Sequence, residues 1–144
     1  MWDLKTWISP GDGEVNINEI LTDLPNESLF IGCDSKGFKE KTNFACAIIH
    51  ERKYYYTKFK GPKFNSIHER LREEVNNIIS LANFICETHP NIKVEVHYDI
   101  SQKPQHLSNR VLKYASSYAE SMCLKWKAKP NAWASTDIAD WHTK

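Results

Sequence analysis

The sequence lacks any long apolar run. Its unbroken apolar stretches are strand-sized, Phe44 to Ile49 being the clearest, so none can span a bilayer. Glycine and proline are sparse, 5 and 6 in 144 residues, and neither a low-complexity tract nor a repeat at fixed period is present. That composition excludes disordered and repeat architectures. The chain also lacks an excess of either charge, with a formal net charge of +1 and a pI near 7.7. A protein holding nucleic acid by bulk charge alone would be strongly basic, so phosphate binding here must come from local lysines or from metal. The four cysteines, Cys33, Cys46, Cys86 and Cys123, form no CxxC pair, which argues against a zinc site or a disulfide framework. Cys46 and Cys86 sit in the apolar patterns FACAII and ANFIC, where a reduced thiol behaves as a small hydrophobe. The N-terminal MWDLKTW mixes charge with apolar residues and has no signal-peptide core. A cytoplasmic protein without membrane association is expected.

What is present fits one domain. Residues 1–28 read as a lead-in, with a turn at Pro10-Gly11-Asp12-Gly13 and a capping box, Asn16 to Glu19, before a short helix that Pro25-Asn26 ends. SLFIGCDS reads as a first strand. TNFACAIIHER is a second, apolar on both faces and therefore central. KYYYTKFKG is a third. Ser66 is placed to cap a long helix that stops before Pro90. IKVEVHYDI is a fourth strand, followed by a helix from about Pro104 through SMC, a fifth strand LKWKAKP, and a short terminal helix capped by Ser135 or Thr136. The order β-β-β-α-β-α-β-α predicts an antiparallel meander continued by parallel strands, a mixed five-stranded α/β sheet with flanking helices over residues 29–144.

Carboxylates fall at telling places on these elements. Asp34 comes near the end of the first strand and Asp99 at the C-terminal end of the fourth, where sites gather in α/β sheets. On the long helix, about 100° per residue puts Glu74 among Ile67, Leu71 and Ile78, while Glu73 points away. A carboxylate aimed at a sheet is costly without a partner. Asp140 lies in the last helix, with Asp137 one turn earlier. Acids from separate elements suit hard cations such as Mg²⁺ or Mn²⁺. An Asp at a strand end is also an ordinary turn residue, and Arg70 could satisfy Glu74. Periodicity alone therefore reaches a candidate metal site and no further.

Element order and acid placement together resemble the ribonuclease H superfamily, most closely its YkuK-like bacterial and phage family. Similar motifs are Gly32-Cys33-Asp34-Ser35, Arg72-Glu73-Glu74-Val75, His97-Tyr98-Asp99 and, most specifically, Lys129-Pro130-Asn131-Ala132-Trp133-Ala134-Ser135 with Ala139-Asp140. The resemblance implies a ribonuclease H-like fold and two bound Mg²⁺ or Mn²⁺ ions held by Asp34, Glu74, Asp99 and Asp140, with Asp137 the alternate for the last. It further implies a nuclease acting on RNA, DNA or a hybrid, in which water attacks phosphorus in line and a 5′-phosphate and a 3′-hydroxyl are left. The alternative is a nucleic-acid- or protein-binding module that keeps the fold without turnover.

Lys125, Lys127 and Lys129 alternate along the fifth strand and form a candidate phosphate stripe, as do Lys58, Lys60 and Lys63 after the third. A solvated strand face or a protected sheet edge explains the same pattern. Trp133 is a core residue or a base-stacking platform, and His97 and His142 are proton carriers or ordinary hydrogen-bonded histidines. No motif points to a particular oligomeric state.

Overall fold

The computed structural model describes residues 2, 6–24, 27–51, 53–103, 106 and 109–143. Its strands are β1 (Trp7–Ser9), β2 (Gly13–Val15), β3 (Ser28–Gly37), β4 (Thr42–His50), β5 (Lys53–Gly61), β6 (Lys93–Ser101) and β7 (Lys125–Lys129). Helices α1 (Ile17–Thr22), α2 (Ile67–Thr88) and α3 (Asn109–Ser121) come between them, and the chain closes with a π-helix, Ala134–Ala139, running into α4 (Asp140–Thr143). The sheet order is β2-β1-β5-β4-β3-β6-β7.

The meander β3-β4-β5 is antiparallel, and β3-β6 and β6-β7 are parallel, as the element order predicts. The sheet nevertheless has seven strands, not five. The two additional strands are three-residue pieces, too short for alternation to be visible in sequence. They form a hairpin around the Pro10–Gly13 turn, where Gly11 and Gly13 adopt φ of 86° and 96°, and β1 joins the free edge of β5. The segment before β3 thus contributes the fully buried Trp7 to the same core.

Asn16 caps α1, accepting from the Glu19 N–H at 2.9 Å, and Ser66 caps α2, accepting from the Glu69 N–H at 3.2 Å. Pro25-Asn26 and Pro104 lie outside the described residues. The cap expected at Ser135 or Thr136 is absent: both residues lie inside the π-helix, which follows Trp133 without a side-chain cap. The Ser135 hydroxyl is engaged elsewhere. It accepts from the Cys33 N–H at 3.1 Å and donates to the His97 carbonyl.

Those two contacts shape the sheet. The β3–β6 ladder runs from Ser28↔Lys93 to Gly32↔His97 and stops there. Ser135 inserts its hydroxyl between the backbone groups that a further ladder bond would have joined. Beyond it β3 continues with β4, while β6 continues with β7 through an irregularity between Tyr98 and Ser101. The strands fork, and the fork opens at the carboxyl ends of both.

Two apolar layers hold the sheet. On one face Ile31 and Cys33 of β3 and Phe44, Cys46 and Ile48 of β4 belong to the core that includes α2 and α3. On the other, Ala47 and Ile49 meet Ala134 and Ala139, with Phe30, Tyr54 and Trp133 around them. A Cβ on Gly32 would lie 2.4 Å from the Ala134 carbonyl carbon and from the Ser135 nitrogen, so the terminal segment rests directly on this glycine. Gly32→Ala is expected to cost about 1–3 kcal/mol through overpacking, and Ser135→Ala a similar amount by orphaning buried backbone groups. Urea unfolding of both variants against wild type measures this, and an unchanged midpoint in either would contradict the docking described.

Candidate active site

The fork brings three acids together. Asp34 stands on β3 two residues past Gly32, Asp99 on β6 two residues past His97, and Glu74 reaches in from the N-terminal half of α2. One carboxylate oxygen from each lies within 4.8 Å of the others. Asp34 and Glu74 are 5% and 4% exposed, and Asp99 is half-buried. They line a cleft of about 750 Å³ whose wall includes Asp140, Arg70 and Lys129. Asp140 faces Asp34 from the start of α4, whereas Asp137 is exposed and is not among the residues lining the cleft.

The chain matches the family model described as "Ribonuclease H-like" over residues 16–144. It belongs to the ribonuclease H-like family. No curated protein matches it. Among solved structures it is similar to the N-terminal RNase H domain of Rv2228c from Mycobacterium tuberculosis, determined as a fusion with maltose-binding protein. That likeness has 11% identity, covers 81% of this chain and 94% of the other, and has a TM-score of 0.39.

In this ribonuclease H-like cleft the acids are electrostatically loaded. Burial pushes Asp34 up to about 10, helped by the charge of Glu74 and by the neighbouring Asp140 and Asp99. Burial likewise pushes Glu74 up to about 8, against the lowering effect of the hydroxyl that Ser35 donates to it and of Arg70 and Lys129. Lys129 Nζ stands 3.0 Å from Asp99 Oδ1, an ion pair whose geometry leaves that buried oxygen without a directed hydrogen bond.

Other expected residues have different surroundings. Lys125, Lys127 and Lys129 are exposed on the edge strand β7, but Lys127 lies 3.8 Å from Glu95 and Lys129 is paired with Asp99. Trp133 is half-buried against Phe30 and His97, at ring separations of 4.9 and 5.1 Å. His97 is fully buried between Glu95, 2.7 Å from Nε2, and the Ala134 N–H, 3.1 Å from Nδ1. Burial lowers its pKa, so it ties the terminal segment to β6 as a neutral ring. His142 stacks on Tyr56 at 3.6 Å. Ile67, expected on the apolar face, is 45% exposed at the cleft wall. Sequence reasoning missed the role of Ser35, although it stands beside Asp34 in the G-x-D-S motif. It also gave no sign of Gln102, Lys103 and His106, which reach the cleft from the connection after β6.

These shifts predict a pH dependence with a definite sign. An unfolded chain releases the Asp34 and Glu74 protons near pH 4, while the folded, metal-free protein keeps them until about pH 8 for Glu74 and about 10 for Asp34. The folded state binds more protons in between, so stability from these groups is fully present below pH 4 and is lost as pH rises. In EDTA, the melting temperature of Glu74→Gln relative to wild type is expected to climb between pH 5.5 and 8.5. A difference that stays flat with pH would remove the case for a protonated Glu74.

Proposed function

We propose that the cleft is a two-metal phosphodiester hydrolase site in which Asp34, Glu74, Asp99 and Asp140 hold Mg²⁺ or Mn²⁺. The observation that carries this reading is three carboxylates, two of them buried and one half-buried, with oxygens converging within 4.8 Å at a strand fork. The donor set fits the ions. It is all oxygen, as hard cations require. Among the described residues Asp99 Oδ1 has the Lys129 ion pair but no directed hydrogen bond, and burial among its acidic neighbours holds the Asp34 proton far above the ordinary carboxylate range. When bound, the ions supply a lowered pKa for attacking water and neutralise the charge developing on a phosphoryl group.

The residues supply the rest. Asp34, central among the acids, would hold metal together with Glu74 and Asp99, and Asp140 would add a further carboxylate from the cleft wall. Ser35 orients Glu74 through its hydroxyl. Arg70 is a cation at the cleft wall, placed to meet a phosphate oxygen beside the acids. Lys125 and Lys127 extend positive charge along the β7 edge, and we assign them to flanking phosphates. The C-terminal run from Lys129 to Ser135, with Ala139-Asp140, supports placement among the YkuK-like relatives. Among the described residues no helix is long and apolar enough to cross a membrane, and the adjacent free thiols of Cys33 and Cys46 fit a reducing, cytosolic setting.

A second reading, a binding module without turnover, has one observation in its favour. Lys129 already neutralises Asp99, as a resident cation would. Calorimetric titration with Mn²⁺ separates the two. Saturable binding is expected for wild type and is lost in Asp34→Asn and Glu74→Gln, while Ser35→Ala weakens it about 10- to 100-fold. Hydrolysis of nucleic acid should fall in the same order. Wild-type hydrolysis in Asp34→Asn would show the acid assignment to be wrong, whereas tight nucleic-acid binding with neither metal uptake nor hydrolysis gives the site to the second reading.

A further inference from the structure

The terminal π-helix and α4 cover only part of their face of the sheet. The register shows what they leave open. Alternation puts Phe30, Gly32, Asp34 and Lys36 of β3 on this face. Opposite them on β4 are Ile49, Ala47, Ala45 and Asn43, and on β5 Tyr54, Tyr56, Lys58 and Lys60. Tyr54, Tyr56, Ala47 and Ile49 are taken up by the terminal segment and His142. The next row across the sheet is Asp34, Ala45, Lys58, and the one after it Lys36, Asn43, Lys60. The candidate site and a lysine-bearing strip therefore share one surface, two residues apart on β3, which is roughly 7 Å.

Charge on that strip is uncompensated. Segments 36–41 and 58–63 contain six lysines and a single glutamate, Glu40, in a chain whose net charge is +1. Among the described residues none of those lysines forms an ion pair, in contrast with Lys127 and Lys129. Lys41 and Lys60 stand close enough for each other's charge to lower the Lys41 pKa, an arrangement that a bound anion would relieve. At the rim, Phe38 is 41% exposed, with Lys36 Nζ 6.0 Å and Lys41 Nζ 5.8 Å from its ring centre. An exposed aromatic between two free ammonium groups offers a stacking surface flanked by phosphate contacts.

We propose that this strip, Lys36, Lys58 and Lys60 with Lys41 and Phe38 at its rim, holds a single-stranded nucleic-acid segment running out of the carboxylate cleft. The lysines contact its phosphates, and Phe38 stacks on an unpaired base roughly 13 Å from Asp34. The inference rests on reading the cleft as a nucleic-acid site and adds the substrate class: a strand with an unpaired flank. A blunt duplex offers Phe38 no free base face, and an acidic peptide has no use for the ring.

Fluorescence anisotropy with a labelled single-stranded oligonucleotide in EDTA tests it, since no cleavage or metal binding is then involved. Replacing Lys36, Lys58 and Lys60 together by alanine is expected to reduce the slope of log affinity against log salt by about 2. Phe38→Ala should weaken binding about tenfold with the slope retained, Phe38→Trp should restore it, and neither should alter binding of a blunt duplex. Wild-type affinity and slope in the triple variant would overturn the proposal. So would an unaffected Phe38→Ala, or competition by polyglutamate as strong as by oligonucleotide, which would point to an acidic protein partner. Calorimetry with Mn²⁺ on the same variants keeps the readings apart, because the strip can fail while metal binding persists and can hold if the cleft takes no metal.

Discussion

The backbone of the terminal segment lies against Gly32, and the Ser135 hydroxyl bridges the Cys33 N–H and the His97 carbonyl. Everything at the site depends on that contact. A direct ladder bond between β3 and β6 at this level would close the sheet. With the hydroxyl in its place, both backbone groups are satisfied and the strands separate, so buried polar groups are not sacrificed to open a cleft. The same wedge brings Asp140 of α4 to the acids on β3 and β6. His97, buried and neutral, fixes the other side by accepting from the Ala134 N–H while facing Glu95 through Nε2.

The electrostatics follow from this geometry. A fork lined on one side by α2 and on the other by the terminal helices excludes enough water to make ionised carboxylates costly. Without a cation, protons on Asp34 and Glu74, the Ser35 hydroxyl and the Lys129 ammonium carry the load. Each of these responses is local and reversible, so the acids can change protonation without the surrounding fold having to move. The lysine strip is the complement. Its charge lies outside the cleft and, among the described residues, forms no ion pair.

Much of this was legible in the amino-acid order because it rests on local rules. The caps at Asn16 and Ser66, the central β4, the switch from antiparallel to parallel pairing and the inward turn of Glu74 all follow from spacing over a few residues. The acids Asp34 and Asp99 could be placed in the carboxyl halves of their strands for the same reason, although β3 runs on to Gly37 and β6 to Ser101. Family membership then agrees with the element order over residues 16–144.

Tertiary structure decided the rest. Three-residue strands such as β1 and β2 carry too little pattern to be seen and exist only because the edge of β5 is there to pair with. Ser135 looks like a helix cap in sequence, yet Cys33 on β3, 102 positions away, and His97 on β6 claim its hydroxyl. That Asp140 lines the cleft while Asp137 is exposed follows from the path of the terminal π-helix, which spacing in sequence does not reveal. Lys58 and Lys60 were legible as a stripe in sequence, but their place beside Lys36 on the face that carries Asp34 appears only once β3, β4 and β5 are set in register. Local periodicity determines which face a residue takes within its own element, but only pairing and packing across the chain determine what that face meets.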